Sequence, residues 1–512
     1  MIVVYHLNSK ITAVETAGSQ TIEFDFKGSI AEGLHVLAQQ FPDEVLVWCN
    51  TALKEQLNCE LIPSLLHHHK LILSFSVSAF NFLERKIGYI DESLFINVNK
   101  KVTYPTWQMS SDIGVVHAAV VNAMQGIIVR GGNFDYYLNS FAKLGVQAGL
   151  LCYSEPRLLK QLPTVAPHLT SSYTLFRFVR QHYKTRWIFL LLLNLIIYEN
   201  KFPLVPMVYS LFYKNRNNKK INLDAVTVKS SRIVLDKGTV DVIIPTIGRK
   251  KYLYDVLCDL RSQTNLPKNV IIVEQNTILD SVSELDYLHK EEWPFTVKHI
   301  FTHLPGACNA RNIALKVIES EWIFLADDDI RVSQNFIQKA FENITKLGAN
   351  SVSLSCLQKE DNQTFKTILQ WGSFGSGCSI VKTESIKNCR FNIGYEFGYG
   401  EDSDFGMQLR NQGCDVLYLP APEILHLKAP IGGFRTKPVL EWHDDKVQPK
   451  PSPTVMLYQI SNNTIEQIRG YKTTLFFKYY THQKITNPYH YFVHFRKQWN
   501  RSVFWANQLK TR

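Results

Sequence analysis

The chain has no Cys-x-x-Cys pair: its nine cysteines (Cys49, Cys59, Cys152, Cys258, Cys308, Cys356, Cys378, Cys389 and Cys414) stand singly. Odd in number and unpaired in spacing, they argue against a disulfide framework or a structural zinc site, and for a reducing compartment. A basic n-region is also missing. In the opening MIVVYHLNSK the first lysine, Lys10, follows the apolar stretch instead of preceding it, so no secretory leader is expected there. No apolar run approaches the roughly 20 residues of a membrane span. The longest, Trp187 to Tyr198 (WIFLLLLNLIIY), has 12 residues. It reads as a buried core helix or as an interfacial helix behind Arg177, Arg180, Lys184 and Arg186, ahead of a true span.

What is present is ordinary globular composition, 45% hydrophobic and 20% charged, in a chain of 512 residues with room for two domains. The net charge of +11 is uneven, with 13 Lys/Arg against 4 Asp/Glu from Pro430 to Arg512. Twelve aromatics between residues 471 and 505 lie among those cations. No nucleic-acid recognition motif accompanies them, so nucleic acid is not expected as a partner. Contact with an anionic membrane is one reading of the tail, and a helical extension packing its aromatics on the protein is the other. Composition divides the chain into residues 1–215, 216–430 and 431–512, with Lys214 to Lys220 (KNRNNKK) as an exposed connection.

The middle region alternates strands and helices. VDVIIP, NVIIV and WIFL read as buried strands, and Leu253, Val256, Leu257 and Leu260 share one helical face. A mostly parallel α/β sheet follows, with its ligand site beyond the strands' carboxyl ends. Those ends carry Pro245-Thr246, Glu274-Gln275-Asn276 and Asp327-Asp328-Asp329.

Carboxylates at the end of a buried strand are costly unless a positive partner sits there. Asp327 and Asp329 suit a hard divalent cation, Mg²⁺ or Mn²⁺, bridged to a diphosphate; an acidic turn before a helix is the plainer reading. Gly400-Glu401-Asp402 opens a helix, whose dipole keeps a carboxylate ionised and fit to take a proton; the plainer reading is that Ser403 or Asp404 merely caps it. His426 offers a third metal ligand or a structural imidazole. Gly306 to Arg311 reads as a helix start with an arginine one turn in, suited to phosphate or to nothing special. The loop WGSFGSG, Trp371 to Gly377, offers an aromatic face for an acceptor sugar.

In this order DVIIPTIGR, NVIIVEQN, PGACNARNIAL, WIFLADDDI, GSGCSIVK and GYGEDSDFGMQLRNQG, over residues 240–430, resemble the family 2 glycosyltransferases of the GT-A fold. The resemblance implies inverting transfer from a nucleotide-diphosphate sugar, usually UDP-linked, to a glycan or lipid-linked acceptor in cell-surface polysaccharide synthesis. It implies donor binding by Pro245, Thr246, Glu274, Gln275, Arg311, Asp327 and Asp328, metal binding by Asp327, Asp329 and His426, and catalysis by Asp402 with Glu401 beside it. Trp371, Gly377 and Tyr399 fall on the acceptor side, with Tyr395 near them. Glu274-Gln275 departs from the family's common Asp-Asp. A cytoplasmic enzyme, peripheral on the inner face of the plasma membrane, would fit. The rivals are a sugar nucleotidylyltransferase, which would need a Gly-rich loop where this chain has Pro-Thr-Ile-Gly-Arg, and an inactive glycan-binding scaffold.

Two N-terminal segments echo the middle region. VLVWCNTAL (Val45 to Leu53) parallels IIVEQNTIL (Ile271 to Leu279), and Gly132-Asn133-Phe134 parallels Gly400-Glu401-Asp402. Leu158 then falls at the place of His426, Trp107 echoes Trp371, and no Asp-x-Asp lies between. A degenerate, site-less GT-A-like domain is expected ahead of the catalytic one, and a helical basic and aromatic tail after it.

Overall fold

The apolar runs read as strands are strands, and all their residues but the half-buried Pro245 are buried. The computed structural model describes residues 1–126, 132–162, 170–217, 219, 221–430 and 439–511. Part of the Lys214–Lys220 connection and the stretch just after residue 430 lie outside the described residues. The chain forms two compact units, Met1–Arg232 with Asn463–Gln483, and Ile233–Asn462 with Lys484–Arg512.

In the first unit the strands are β1 (Ile2–Leu7), β2 (Lys10–Thr16), β3 (Val45–Asn50), β4 (Leu71–Phe75), β5 (Tyr104–Pro105), β6 (Ile113–His117) and β7 (Leu151–Ser154). They lie in the order β2-β1-β3-β6-β4-β7-β5. Helix Ile30–Gln40 starts on a capping box: Glu32 N–H donates to the Ser29 hydroxyl and Ser29 N–H donates to the Glu32 carboxylate. Val4, Leu37, Leu46, Trp48, Phe134 and Phe176 are among its fully buried core residues. Gly114 admits the Trp48 indole, since a Cβ there would fall 2.1 Å from Trp48 Cζ2 and 2.6 Å from the Leu73 carbonyl. Gly114→Ala is expected to lower stability by about 1–3 kcal/mol, the usual cost of overpacking, visible as a lower denaturation midpoint; an unchanged midpoint would contradict the packing.

The second unit holds β8 (Val240–Thr246), β9 (Asn269–Gln275), β10 (Thr296–Thr302), β11 (Trp322–Ala326), β12 (Ile330–Arg331), β13 (Ser351–Leu357), β14 (Leu369–Gln370), β15 (Cys378–Lys382) and β16 (Leu417–His426). The order is β10-β9-β8-β11-β15-β13-β16-β12, with β14 also on β16. From β10 to β11 every pairing is parallel; from β11 through β15 to β13 it is antiparallel. Leu253, Val256, Leu257 and Leu260 of helix Lys250–Arg261 are buried, as their spacing requires. This is a GT-A-like α/β layer architecture, parallel on one side and mixed on the other.

The two sheets share a pattern. Strands β1, β3, β6, β4, β7 and β5 succeed one another with the same parallel or antiparallel senses as β8, β11, β15, β13, β16 and β14. The register agrees as well. Trp48 and Ser74 both pair with Gly114, as Leu325 and Ser353 both pair with Ser379. Beyond β1, among the described residues, the first sheet has only the antiparallel β2, where β9 and β10 extend the second.

This register corrects the sequence echo in four places. Strand β3 stands where β11 stands, not β9, so Asn50-Thr51-Ala52 occupies the place of Asp327-Asp328-Asp329. The shared Asn-Thr is a turn signal that recurs after strands of any topology. Helix Phe134–Gln147 matches helix Glu401–Asn411 from its first residue, so Phe134-Asp135, not Asn133-Phe134, replaces Glu401-Asp402. Ser111 N–H and hydroxyl donate to Asp135 just as those of Ser376 donate to Asp402. Thr106, not Trp107, takes the place of Trp371, because Thr106 N–H donates to the Cys152 carbonyl of β7 as Trp371 N–H donates to the carbonyl of Val416 leading into β16. Leu158 lies in the short 3₁₀ turn Pro156–Leu158 after β7, whereas His426 ends a ten-residue strand.

The C-terminal segment is shared between the units. Helix Ile465–Tyr480 belongs to the first, where Gly470 lies against the Tyr89 carbonyl. Helix Pro488–Lys510 belongs to the second and buries Tyr491, Phe495 and Trp499 at four-residue spacing. Asp445 accepts from Arg501 and from the Trp505 indole N–H there.

Candidate active site

Three carboxylates follow β11, and each meets a different environment. Asp328 is buried, accepts from the Thr246 hydroxyl at 2.6 Å and pairs with Arg249 Nη1 at 2.6 Å. Burial raises its carboxyl to about 6, with Arg249 and Thr246 acting in the opposite sense. The result is a tie between the loop after β8 and the turn after β11. Asp329 is buried too, 3.3 Å from His426 Nε2, 2.8 Å from the donating Ala429 N–H and 3.3 Å from Arg249 Nη1. Burial works against its charge, yet the hydrogen bonds from His426 and Ala429 hold it below the usual carboxylate range. Asp327 is more open and pairs with Arg311 Nη2 at 3.2 Å.

One ligand atom each from Asp327, Asp329 and His426 lies within 4.8 Å of the other two. Two carboxylate oxygens and an imidazole nitrogen form a donor set that fits Mn²⁺ or Mg²⁺. Gly377 lines this group: a Cβ there would fall 2.1 Å from Asp327 Oδ2, so only hydrogen at that position leaves the carboxylate where it is.

Asp402 is the second residue of helix Glu401–Asn411. Ser376 N–H donates to its Oδ1 at 3.3 Å, and the Ser376 hydroxyl donates to the same oxygen. Burial pushes its carboxyl above the usual range, opposed by the Arg311 charge and the Ser376 hydrogen bonds. Burial, and then the Asp402 charge, push Glu401 up to about 7. Arg311 is buried in helix Ala307–Leu315, and its Nε has no hydrogen-bond partner among the described residues, a donor left for a ligand.

Glu401 and Asp402 are neighbouring carboxyls at one helix start, both pushed above the usual range by burial. With Asp402 taking the acceptor proton, Glu401→Gln is expected to keep turnover within a few-fold in steady-state assays. Loss of turnover in that variant would move the base to Glu401.

The helix start at Gly306 is not an open phosphate cradle. The Glu396 carboxylate accepts from Cys308 N–H at 3.2 Å and Asn309 N–H at 3.0 Å, filling it. Gly306 has φ 146°, and a Cβ on it would meet Glu396 Cδ at 2.4 Å. Gln275 Oε1 accepts from Gly306 N–H, and Glu274 is held by His299 and Glu284 N–H. Pro245 is half-buried at the end of β8, next to Thr246. Trp371 stacks on Tyr418 at 4.5 Å with Phe365 against its edge, while Tyr399 is exposed and donates its N–H to Thr454. Tyr395 is buried with its hydroxyl on Asp404, so it lines no open loop.

Asp327, Asp328, Asp329, Thr246, Arg311, Gly377, Asp402 and His426 thus converge, and Glu274 and Gln275 sit on the adjoining strand end. Sequence reasoning missed Arg249, Ser376 and Glu396. The first two stand inside quoted strings, three residues after Thr246 and one before Gly377, but nothing local announces the partner of either.

Residues 241–401 match the sequence profile of the family described as Glycosyl transferase family 2. No curated protein sequence matches the chain. Among solved structures it is similar to S. aureus TarS 1–349, with 19% identity over 37% of this chain and 60% of that one and a TM-score of 0.32. It is also similar to TarS 1–349 in complex with UDP-GlcNAc, with 17% identity over 48% of this chain and 73% of that one and a TM-score of 0.34. The chain thus spans about 60% of the length of the TarS 1–349 structure it matches.

Proposed function

We propose that the family 2 glycosyltransferase domain of residues 241–401, completed by His426, transfers a sugar with inversion from a nucleotide diphosphate, a UDP-sugar, to a glycan or lipid-linked acceptor in cell-surface polysaccharide synthesis. The observation that carries this reading is the approach of two sets of groups: the Asp327–Asp329–His426 donor set, and Asp402 held by Ser376, with Arg311 facing both. Asp402 takes the proton of the acceptor hydroxyl. The acceptor oxygen bonds to the anomeric carbon as the bond from that carbon to the diphosphate oxygen breaks, and the nucleoside diphosphate leaves with the electron pair. Asp327, Asp329 and His426 would hold Mn²⁺ or Mg²⁺, which supplies charge compensation for the leaving diphosphate. Arg311 orients Asp327 and presents its free Nε to the donor. Arg249 and Thr246 keep Asp328 inside the loop network rather than on the ligand. Trp371, Gly377 and Tyr399 belong to the acceptor side in this reading, and Pro245, Glu274 and Gln275 to the donor side.

The first unit is, in the same reading, a non-catalytic copy of the GT-A sheet without its donor strands, kept for acceptor binding, docking or stability. Phe134, at the place of Glu401, is buried against His6 and Trp48 and plugs the corresponding spot. A cytoplasmic position on the inner face of the plasma membrane accompanies the proposal, with the basic C-terminal segment adding attraction to anionic lipid. A saturation-transfer screen of UDP- and GDP-sugars tests the donor assignment: UDP-sugar signals are expected, and signals from GDP-sugars alone would contradict it.

A further inference from the structure

We infer that residues 186–212 form a membrane-insertion surface, seated in the boundary between headgroups and acyl chains of an anionic bilayer. Helix Arg186–Glu199 is apolar on every side, yet only Ile188, Leu191, Asn194 and Leu195 are buried. Phe189 and Ile197 face outward, each 52% exposed. A helix that is apolar all round is normally covered all round.

The next helix, Leu204–Ser210, is inverted: its one buried residue is Ser210, while Leu204, Val205, Val208 and Tyr209 are exposed. Phe202 before it is 69% exposed, and Phe212 after it is 83% exposed. So long a run of exposed apolar side chains is rare on a surface that meets only water.

The charge around the patch selects the occupant. Residues 172–220 hold nine Lys/Arg and one acid, Glu199, which is itself paired with Lys201 at 2.8 Å. Lys184, Arg186, Lys201 and Lys214 are exposed around the apolar residues. Tyr209 packs edge-on against Tyr173 and Tyr213, and the Arg177 guanidinium lies over the Tyr213 ring. Apolar tips, tyrosines and a cationic border are the sequence of layers a bilayer presents in reverse. The helix of 14 residues is too short to cross, and no helix among the described residues is long and apolar enough to do so. The segment lies in the interface, not through it, and this holds whatever the transferred sugar is.

Flotation of the full chain with vesicles of phosphatidylcholine, alone or mixed with phosphatidylglycerol, tests the inference. Binding to the mixed vesicles is expected, with at least about a ten-fold loss in the triple variant Phe202→Ser, Val205→Ser, Phe212→Ser, since each lost apolar group weakens insertion. All three positions are exposed, so an unchanged melting temperature will show the variant folded. Lys201→Glu with Lys214→Glu is expected to remove the preference for anionic lipid. In Phe212→Trp, quenching by brominated acyl chains is expected. Undiminished flotation of the triple variant, or no quenching in Phe212→Trp, would overturn the inference. So would a wild-type oligomer that the triple variant disperses without any vesicle binding, which would assign the patch to a second copy.

Discussion

Asp402→Asn is expected to lower turnover of the nucleotide sugar by about 10²–10⁴-fold, the range for loss of a positioned general base, while donor binding stays as it was. Asparagine has the same shape, and its Oδ1 still accepts from Ser376 N–H and hydroxyl, so the helix start keeps its geometry. What is lost is the capacity to take a proton. Calorimetric titration with UDP alongside steady-state rates separates the two effects. Full turnover in Asp402→Asn would remove the base assignment.

The second large effect is on metal affinity. Asp329→Ala and His426→Ala each remove one member of a three-residue donor set, and each is expected to weaken Mn²⁺ binding by more than the roughly 10–100-fold that outer-shell substitutions cost. Asp329 also accepts from Ala429 N–H and pairs with Arg249, so its loss disturbs the surrounding loops. His426 is more exposed and is the cleaner test. Mn²⁺ binding followed by electron paramagnetic resonance, without nucleotide, reads the site directly. Unaltered binding in His426→Ala would exclude it from the shell.

Much of the second unit was legible because its signals are local. Continuous apolar runs became β8, β9 and β11, and the polar residues that end them stand together, since parallel strands deliver their carboxyl ends to one edge. The Asp triplet was legible as a whole but not residue by residue. That Asp328 turns inward to Thr246 and Arg249 while Asp327 and Asp329 turn to His426 depends on side chains far away in sequence. Glu396 was invisible for the same reason, 90 positions beyond the helix start it closes. The shared pattern of the two sheets was half legible. Short words such as Asn-Thr pointed to the wrong strand, because strand identity in a sheet is set by pairing partners rather than by the turn that follows. Pairing also exposed Asp135, a carboxylate the shifted echo had lost. In the tail, helices Ile465–Tyr480 and Pro488–Lys510 are alike in composition, yet they belong to different units. Gly470 fits the Tyr89 backbone of one unit, and Tyr491, Phe495 and Trp499 fill the core of the other.

We assign one catalytic centre to a chain with two related sheets. Asp402 and Asp135 occupy matching positions, and each is held by a matching serine. The decisive measurement compares nucleoside-diphosphate release from a UDP-sugar, with Mn²⁺ present, by Asp402→Asn and by Asp135→Asn, both checked for native melting. Near-complete loss is expected in the first and wild-type rates in the second. Loss in Asp135→Asn with Asp402→Asn still active would contradict the assignment.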